Sequence, residues 1–297
     1  MSGPLVYLSA GEPSGDRLGA RVAAAIRTLA PDAEIEGMGG PRMSAAGVRI
    51  LQDAGALAAN GLVESAHRLP AHLRLLRDVG RRFRRRRHSL AILVDYAGFH
   101  LAAARVARAA GLPVLHYVAP QLWAWGGWRA ARLRARVDRL AVILPFEETF
   151  FRARGIDARF VGHPLLDEPP PVRSQARAAL GIDAHARVLA LFPGSRSAEV
   201  RRLWPVFREA GRVAGQGIPD LTVAVAAMPG FDYPGFPPEM VRCESAALLA
   251  AAADAALCKA GTASLEAALA GLPHVVAYRT HPVTWAAARR LVEVPWV

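Results

Sequence analysis

The sequence predicts an α/β protein of two Rossmann-like domains, each a parallel sheet wound by helices. Three observations predict it. Short apolar runs recur along the 297 residues, and each stops abruptly in a loop carrying glycine or proline. A stretch of helical period follows most of these loops, which is the strand, turn, helix order of a doubly wound sheet. Between two such series, residues 162–173 with Asp167-Glu168-Pro169-Pro170-Pro171 at their centre break all regular structure. That run reads as a linker, and it divides the chain into domains 1–165 and 166–297.

Composition narrows the class. With 53% of residues apolar, disorder is excluded, and the balance of 37 Lys+Arg against 25 Asp+Glu gives a net charge of +12. Nearly all the positive charge is arginine, Lys259 being the only lysine, so coding bias inflates the signal. The excess still suits a partner with phosphates or an anionic surface. Cys243 and Cys258, the only cysteines, are too few and wrongly spaced for a disulfide framework or a zinc site. A reducing compartment fits. The first residues enter a strand without a basic region or a long apolar core, so no signal peptide is expected. Residues 109–128 carry no charge and are long enough to span a bilayer, but Pro113, Pro120 and several glycines make them strand and loop.

In the first domain, 5–8 is a strand, 9–16 a glycine loop and 18–29 a helix. The loop is not a dinucleotide fingerprint. Ser14, Gly15 and Asp16 nevertheless supply a hydroxyl, backbone donors and a carboxylate at the carboxyl end of a strand, where open sheets bind ligands. The competing reading is a helix start capped by Ser14 or Asp16. Residues 34–40 give a second strand and glycine turn. From 69 to 88, Leu69, Leu73, Leu75 and Leu76 share an amphipathic pattern with Arg74, Arg77, Arg81, Arg82, Arg84, Arg85, Arg86 and Arg87. A solvated helix face is the commoner meaning of such a run, and a helix lying on anionic lipid is the rival. No zinc module or interleaved aromatics support nucleic acid.

The strand at 90–94 delivers Asp95 at its carboxyl end, with His100 close behind. A carboxylate there suits a general base, or else a helix cap. The next strand, 113–118, runs into a loop holding Trp123, Trp125 and Trp128, which could line an apolar or sugar-stacking wall, although core packing is the commoner use. Strands at 140–144 and 159–161 close the domain. In the second domain a helix at 174–180 precedes the apolar run 188–192, which ends at Pro193-Gly194. Ser195 and Arg196 follow, then a helix with Trp204 and Phe207 on one face. Unpaired N–H groups at that helix start, with an arginine beside them, suit a phosphate. A strand at 221–226 and a helix at 246–253 lead to a strand at 255–258, which empties into Gly261 and Thr262, with Glu266 one turn into another helix. That carboxylate suits ribose hydroxyls. Two such turns in one half-chain favour a nucleotide.

Seven ordered motifs then carry a resemblance that covers the chain from end to end: SAGEPSGD at 9–16, VDYAGFH at 94–100, HYVAPQLWAW at 116–125, LPFE at 144–147, VGHPLLD at 161–167, PGSRSAE at 193–199 and GTASLE at 261–266. In these the chain resembles lipid-A-disaccharide synthases, glycosyltransferases of two facing α/β domains, the GT-B architecture. The resemblance implies inverting transfer of a diacylglucosaminyl group from UDP-diacylglucosamine to diacylglucosamine 1-phosphate, without a metal or other cofactor. By the same resemblance Asp95 is the catalytic base, Gly194, Ser195 and Arg196 form the donor diphosphate loop, and Gly261, Thr262 and Glu266 form the second UDP-binding turn. Ser14, Gly15 and Asp16 match the first-domain loop that faces the acceptor cleft. Leu73, Leu76, Arg77 and Arg81 fall where the family docks on a membrane, which places the protein peripherally at the cytoplasmic face of a bacterial inner membrane. No nucleic-acid partner is implied, and homodimerisation is left open.

Three departures stand out. His100 replaces the family's usual asparagine, Ala260 replaces a serine, and the chain stops at Val297, short of the family's closing segment, so the second domain is expected to be incomplete. Two alternatives remain at this point: a related UDP-amino-sugar transferase or epimerase without acyl chains, and a non-catalytic UDP-sugar or lipid-binding remnant. Apolar surface near Leu73 and Leu76 favours the synthase over the former. Donor binding without turnover would favour the remnant.

Overall fold

The computed structural model describes residues 3–54, 69–167, 169–194 and 197–279. The chain divides into two compact units between Pro164 and Leu165. The first comprises β1 (Leu5–Ala10), α1 (Pro13–Leu29), β2 (Glu34–Gly39), α2 (Pro41–Ala45), β3 (Arg49–Asp53), α3 (Leu69–Arg85), β4 (Leu90–Val94), α4 (Ala97–Ala109), β5 (Val114–Tyr117), α5 (Ala130–Arg134), β6 (Arg139–Val142), α6 (Pro145–Arg152) and β7 (Ala158–Phe160). Its strands form one seven-stranded parallel sheet in the order β3-β2-β1-β4-β5-β6-β7. Both faces are covered, which explains why β1 and β4 are nearly continuous apolar runs. Val6, Leu8 and Ala10 pack on one face with Leu18 and Ala23 of α1 and Met43 of α2. Tyr7, Ala91 and Leu93 pack on the other with Val79 and Phe83 of α3 and Phe99 and Ala103 of α4.

The second unit comprises α7 (Arg173–Ala179), β8 (Arg187–Phe192), α8 (Ser197–Gly217), β9 (Leu221–Ala226), β10 (Val241–Cys243), α9 (Ala246–Ala252), β11 (Ala255–Lys259), α10 (Thr262–Leu269) and β12 (His274–Ala277). Its five-stranded parallel sheet has the order β10-β9-β8-β11-β12. Leu203, Trp204 and Phe207 of α8 cover one face against Leu191, Val223 and Val225. Leu249 of α9 and Ala267 of α10 cover the other, against Ala190, Phe192 and Cys258. Cys243 and Cys258 are buried free thiols, and burial pushes Cys258 up to about 11, so neither is a nucleophile at neutral pH. Among the described residues no helix is long and apolar enough to cross a membrane.

A cluster of charged side chains is built around β2. Glu36, on β2 and 1% exposed, receives hydrogen bonds from Arg82 Nη2 (2.7 Å) and Arg86 Nη1 (2.6 Å), and pairs with Arg49, while His88 Nε2 lies 3.0 Å away. The basic run of α3 is therefore divided. Arg82 and, just past the helix, Arg86 turn to a buried carboxylate, a use that neither the solvated-face nor the lipid reading included, while Arg77, Arg81, Arg84 and Arg85 are exposed.

Candidate active site

In an open parallel sheet, neighbouring strands whose connections leave in opposite directions open a crevice above their carboxyl ends. In the first unit these strands are β1 and β4, with Ala10 beside Val94. The loops above them hold Gly11 and Glu12 on one side and Asp95 and Tyr96 on the other. Backbone strain collects here. Asp95 (φ 52°), Tyr96 (φ 47°) and, after β5, the β-branched Val118 (φ 67°) all occupy the left-handed region. Each such conformation costs about 1–3 kcal/mol and persists only where the surroundings hold it. Here they do: the Asp95 N–H donates to Tyr117 O (2.8 Å) and the Val118 N–H to Ala141 O (3.0 Å). A Cβ on Gly11 would lie 2.1 Å from the Tyr96 ring, so glycine alone permits that ring to lie where it does. The Tyr96 hydroxyl in turn reaches His72 Nε2 of α3 at 3.0 Å.

Behind Asp95 lies a fully buried histidine. His100 Nδ1 is 2.7 Å from the Asp95 carbonyl oxygen, which can only accept, so Nδ1 carries the hydrogen and Nε2 accepts from the Ser9 hydroxyl at 2.9 Å. Burial drives His100 down to about 4, and burial together with the nearby His100 drives His116 down to about 3. Both are neutral at neutral pH. The imidazole thus fastens the strained Asp95 backbone to β1, a task that an asparagine N–H at the same position could share. The sequence marks His100 as a neighbour of Asp95 and a departure from a family pattern, without this structural role.

Two readings change here, that of Asp16 as the cap of its own helix and that of the tryptophans as core. Asp16 is 4% exposed, and its carboxylate accepts from the N–H groups of Gly40 (2.7 Å), Arg42 (3.0 Å) and Met43 (3.0 Å). It caps α2, which begins at a glycine with no side chain to do so, and does not cap its own helix. Gly15 lets α1 approach β1, a Cβ there lying 3.3 Å from that of Ala10, while Ser14 is exposed in the first turn. The second correction concerns the tryptophans. Trp125 and Trp128 are 48% and 70% exposed, so core packing is not their use. Arg129 lies over the Trp125 ring at 4.1 Å and Arg132 over Trp128 at 5.2 Å. Trp123 is the anchor of that loop, its Nε1 donating to the buried Glu147 (3.0 Å), whose other oxygen accepts from Ile143 and Leu144.

In the second unit the crevice lies between β8 and β11, with Phe192 beside Cys258. The fold brings together there the two glycine turns that the sequence singled out, Gly194 (φ 128°) and Gly261 (φ 144°), each in a conformation that side chains rarely adopt. Ser195 and Arg196 lie outside the described residues. Thr262 is exposed at the start of α10, and Glu266 is half-buried one turn on. Between the turns stands a pair that sequence reasoning missed, Lys259 Nζ with Glu199 Oε1 at 3.1 Å. Its one signal was that Lys259 is the sole lysine.

The predicted lipid-facing residues share one side of α3. Leu73 is 45% exposed, and Leu73, Leu76, Arg77, Gly80, Arg81 and Arg84 line a groove of about 480 Å³.

Comparison with known proteins decides the family. The family model described as lipid-A-disaccharide synthetase matches residues 6–297. The chain belongs to the lipid-A-disaccharide synthetase family. It is 38% identical over 305 residues to the lipid-A-disaccharide synthase of Myxococcus xanthus (strain DK1622), covering 99% of this chain and 79% of the relative. It is 39% identical over 305 residues to that of Sodalis glossinidius (strain morsitans), covering 98% and 80%. As a member of this family the protein is a glycosyltransferase of lipid A biosynthesis. Among solved structures, the UDP-GlcNAc 2-epimerase of Neisseria meningitidis bound to UDP-GlcNAc superposes with a TM-score of 0.65 at 12% identity, covering 96% of this chain and 85% of that one. A calicheamicin glycosyltransferase does so with 0.59 at 16%, covering 93% and 79%. Identities this low show a shared fold alone, the GT-B architecture.

Proposed function

We propose that the protein transfers a diacylglucosaminyl group from UDP-diacylglucosamine to diacylglucosamine 1-phosphate, giving the disaccharide with inversion and releasing UDP. Asp95 takes the proton of the acceptor hydroxyl as its oxygen bonds to the donor anomeric carbon. The bond from that carbon to the diphosphate oxygen breaks, and UDP leaves with the electron pair. The observation that carries this reading is the strained, tightly held loop at Asp95 above the strand crossover, where stored strain marks a site whose geometry matters. Gly194 and Gly261, with Ser195, Arg196, Thr262 and Glu266, take the UDP part of the donor. Ser14 and Gly15 border the acceptor side. The decisive experiment incubates the protein with both lipid substrates in detergent and follows UDP and disaccharide together. Equal amounts of each support transfer; UDP without disaccharide, or neither product, refutes it.

The same proposal puts the protein at the cytoplasmic face of the inner membrane, docked on anionic lipid through Leu73, Leu76, Arg77 and Arg81. Each arginine near such a surface contributes about 1 kcal/mol, so Leu73→Asp with Arg77→Glu and Arg81→Glu is expected to weaken binding to phosphatidylglycerol vesicles by tenfold or more. Vesicle flotation reads this directly. Equal flotation of wild type and triple variant would remove α3 from the docking surface.

A further inference from the structure

Lys259 is the one lysine in a chain otherwise charged by arginine, and the fold sets it at the end of β11, between the two glycine turns. It is 16% exposed and its partner Glu199 17%. A Cβ on Gly261 would sit 3.1 Å from the Lys259 ammonium, and one on Gly194 would sit 3.3 Å from Glu199 Oε2 and 3.9 Å from Lys259 Cδ. Both turns thus lack a side chain on the side where the pair lies.

The electrostatics of this placement are unfavourable to a cation. Lys259 lies beside the starts of α8 and α10, whose dipoles present partial positive charge, whereas Glu199, in the first turn of α8, is stabilised there. One carboxylate therefore holds the ammonium against two helix ends. A multiply charged anion at the turns would satisfy all three positive groups at once. An ammonium also suits the space better than a guanidinium, because it is a compact charge whose three donors can turn from one oxygen to another.

From these positions we infer that Lys259 binds the diphosphate of the nucleoside diphosphate donor, the anion taking over from Glu199 as the partner of the ammonium. The inference rests on the UDP-donor reading above. It adds a binding group to that site and gives the departing diphosphate a counter-charge.

Isothermal titration with UDP and with uridine tests it on wild type, Lys259→Gln and Glu199→Gln. Lys259→Gln is expected to weaken UDP binding about tenfold or more, the scale of a lost charge-assisted hydrogen bond, and to leave uridine unchanged. Glu199→Gln is expected to bind UDP at least as well as wild type, since the cation remains. That opposite behaviour of two partners separates binding from a strut. If both variants weaken UDP alike, or Lys259→Gln leaves UDP affinity unaltered, the inference is overturned. Should Lys259→Gln fail to fold by thermal melting, Lys259→Met, which keeps the apolar stem, takes its place under the same expectations. A wild type that binds no UDP would instead refute the donor reading itself.

Discussion

Asp95→Asn is expected to lower disaccharide formation by about 10²–10⁴-fold, the span associated with a positioned acid or base, while the protein stays folded and UDP affinity is unchanged. Asparagine is the informative replacement. It preserves size and tolerates the left-handed backbone that Asp95 adopts at φ 52°, so what is lost is the charge and with it the capacity to take a proton. Alanine would add strain at the same position and blur the result. UDP affinity serves as the control because the proposed UDP-binding residues all belong to the second unit. Single-turnover measurement of disaccharide with both substrates saturating checks the prediction, and wild-type rates for the asparagine variant would remove Asp95 from the chemistry. His100→Phe extends the argument. It keeps the buried ring but cannot donate to the Asp95 carbonyl or accept from Ser9. It should therefore slow transfer, whereas His100→Asn, which retains an N–H, should restore much of the rate.

Glu36→Ala is expected to destabilise the first unit by about 3–5 kcal/mol, the usual cost of removing one member of a buried ion pair. Three guanidinium groups and His88 would then surround a site with no anion. The pH dependence has a definite sign. Burial works to raise the Glu36 carboxyl, but hydrogen bonds from Arg82, Arg49 and His88 outweigh it and hold the group down from 4.5 to about 2. A carboxyl lowered by folding stabilises the native state fully above its unfolded value and loses that effect as pH falls from 4.5 towards 2. His100 and His116 act in a higher window. Burial lowers them from 6.5 to about 4 and about 3, so the unfolded chain takes up protons first and stability falls as pH drops below 6.5. Urea melts at neutral pH, at pH 5 and at pH 3 should show wild-type stability falling across both windows. Glu36→Gln should be weaker at neutral pH yet flatter below 4.5, and an unaltered acid slope in that variant would contradict the assignment.

The buried strands were legible as sequence because a parallel strand covered on both faces is an unbroken apolar run. Leu90–Val94 and Leu221–Ala226 have the bounds that their composition predicts. The strands that went unread are Arg49–Asp53 and His274–Ala277 at sheet edges and the three-residue Val241–Cys243. Edge strands bury one flank less and carry a mixed pattern, so no continuous apolar signal marks them. The glycine turns at Gly194 and Gly261 were readable for a related reason. A strand, a turn in an unusual conformation and a helix start are all local, and each leaves its own residues in order along the chain.

Sequence by itself therefore determined the α/β class of both sheets, the two glycine turns of the second and, through ordered motifs, the family. Only the tertiary structure decided which charged and polar side chains meet one another. Asp16, read as a ligand group, caps a helix that starts at Gly40; Glu36, unremarked, gathers arginines from β3 and α3; Ser9 meets His100 from 91 positions away; and Lys259 meets Glu199 across the strand crossover. The physical reason is common to all four. Such pairings depend on which strands lie side by side, and strand adjacency is set by the packing of distant segments, so no local period or spacing encodes it.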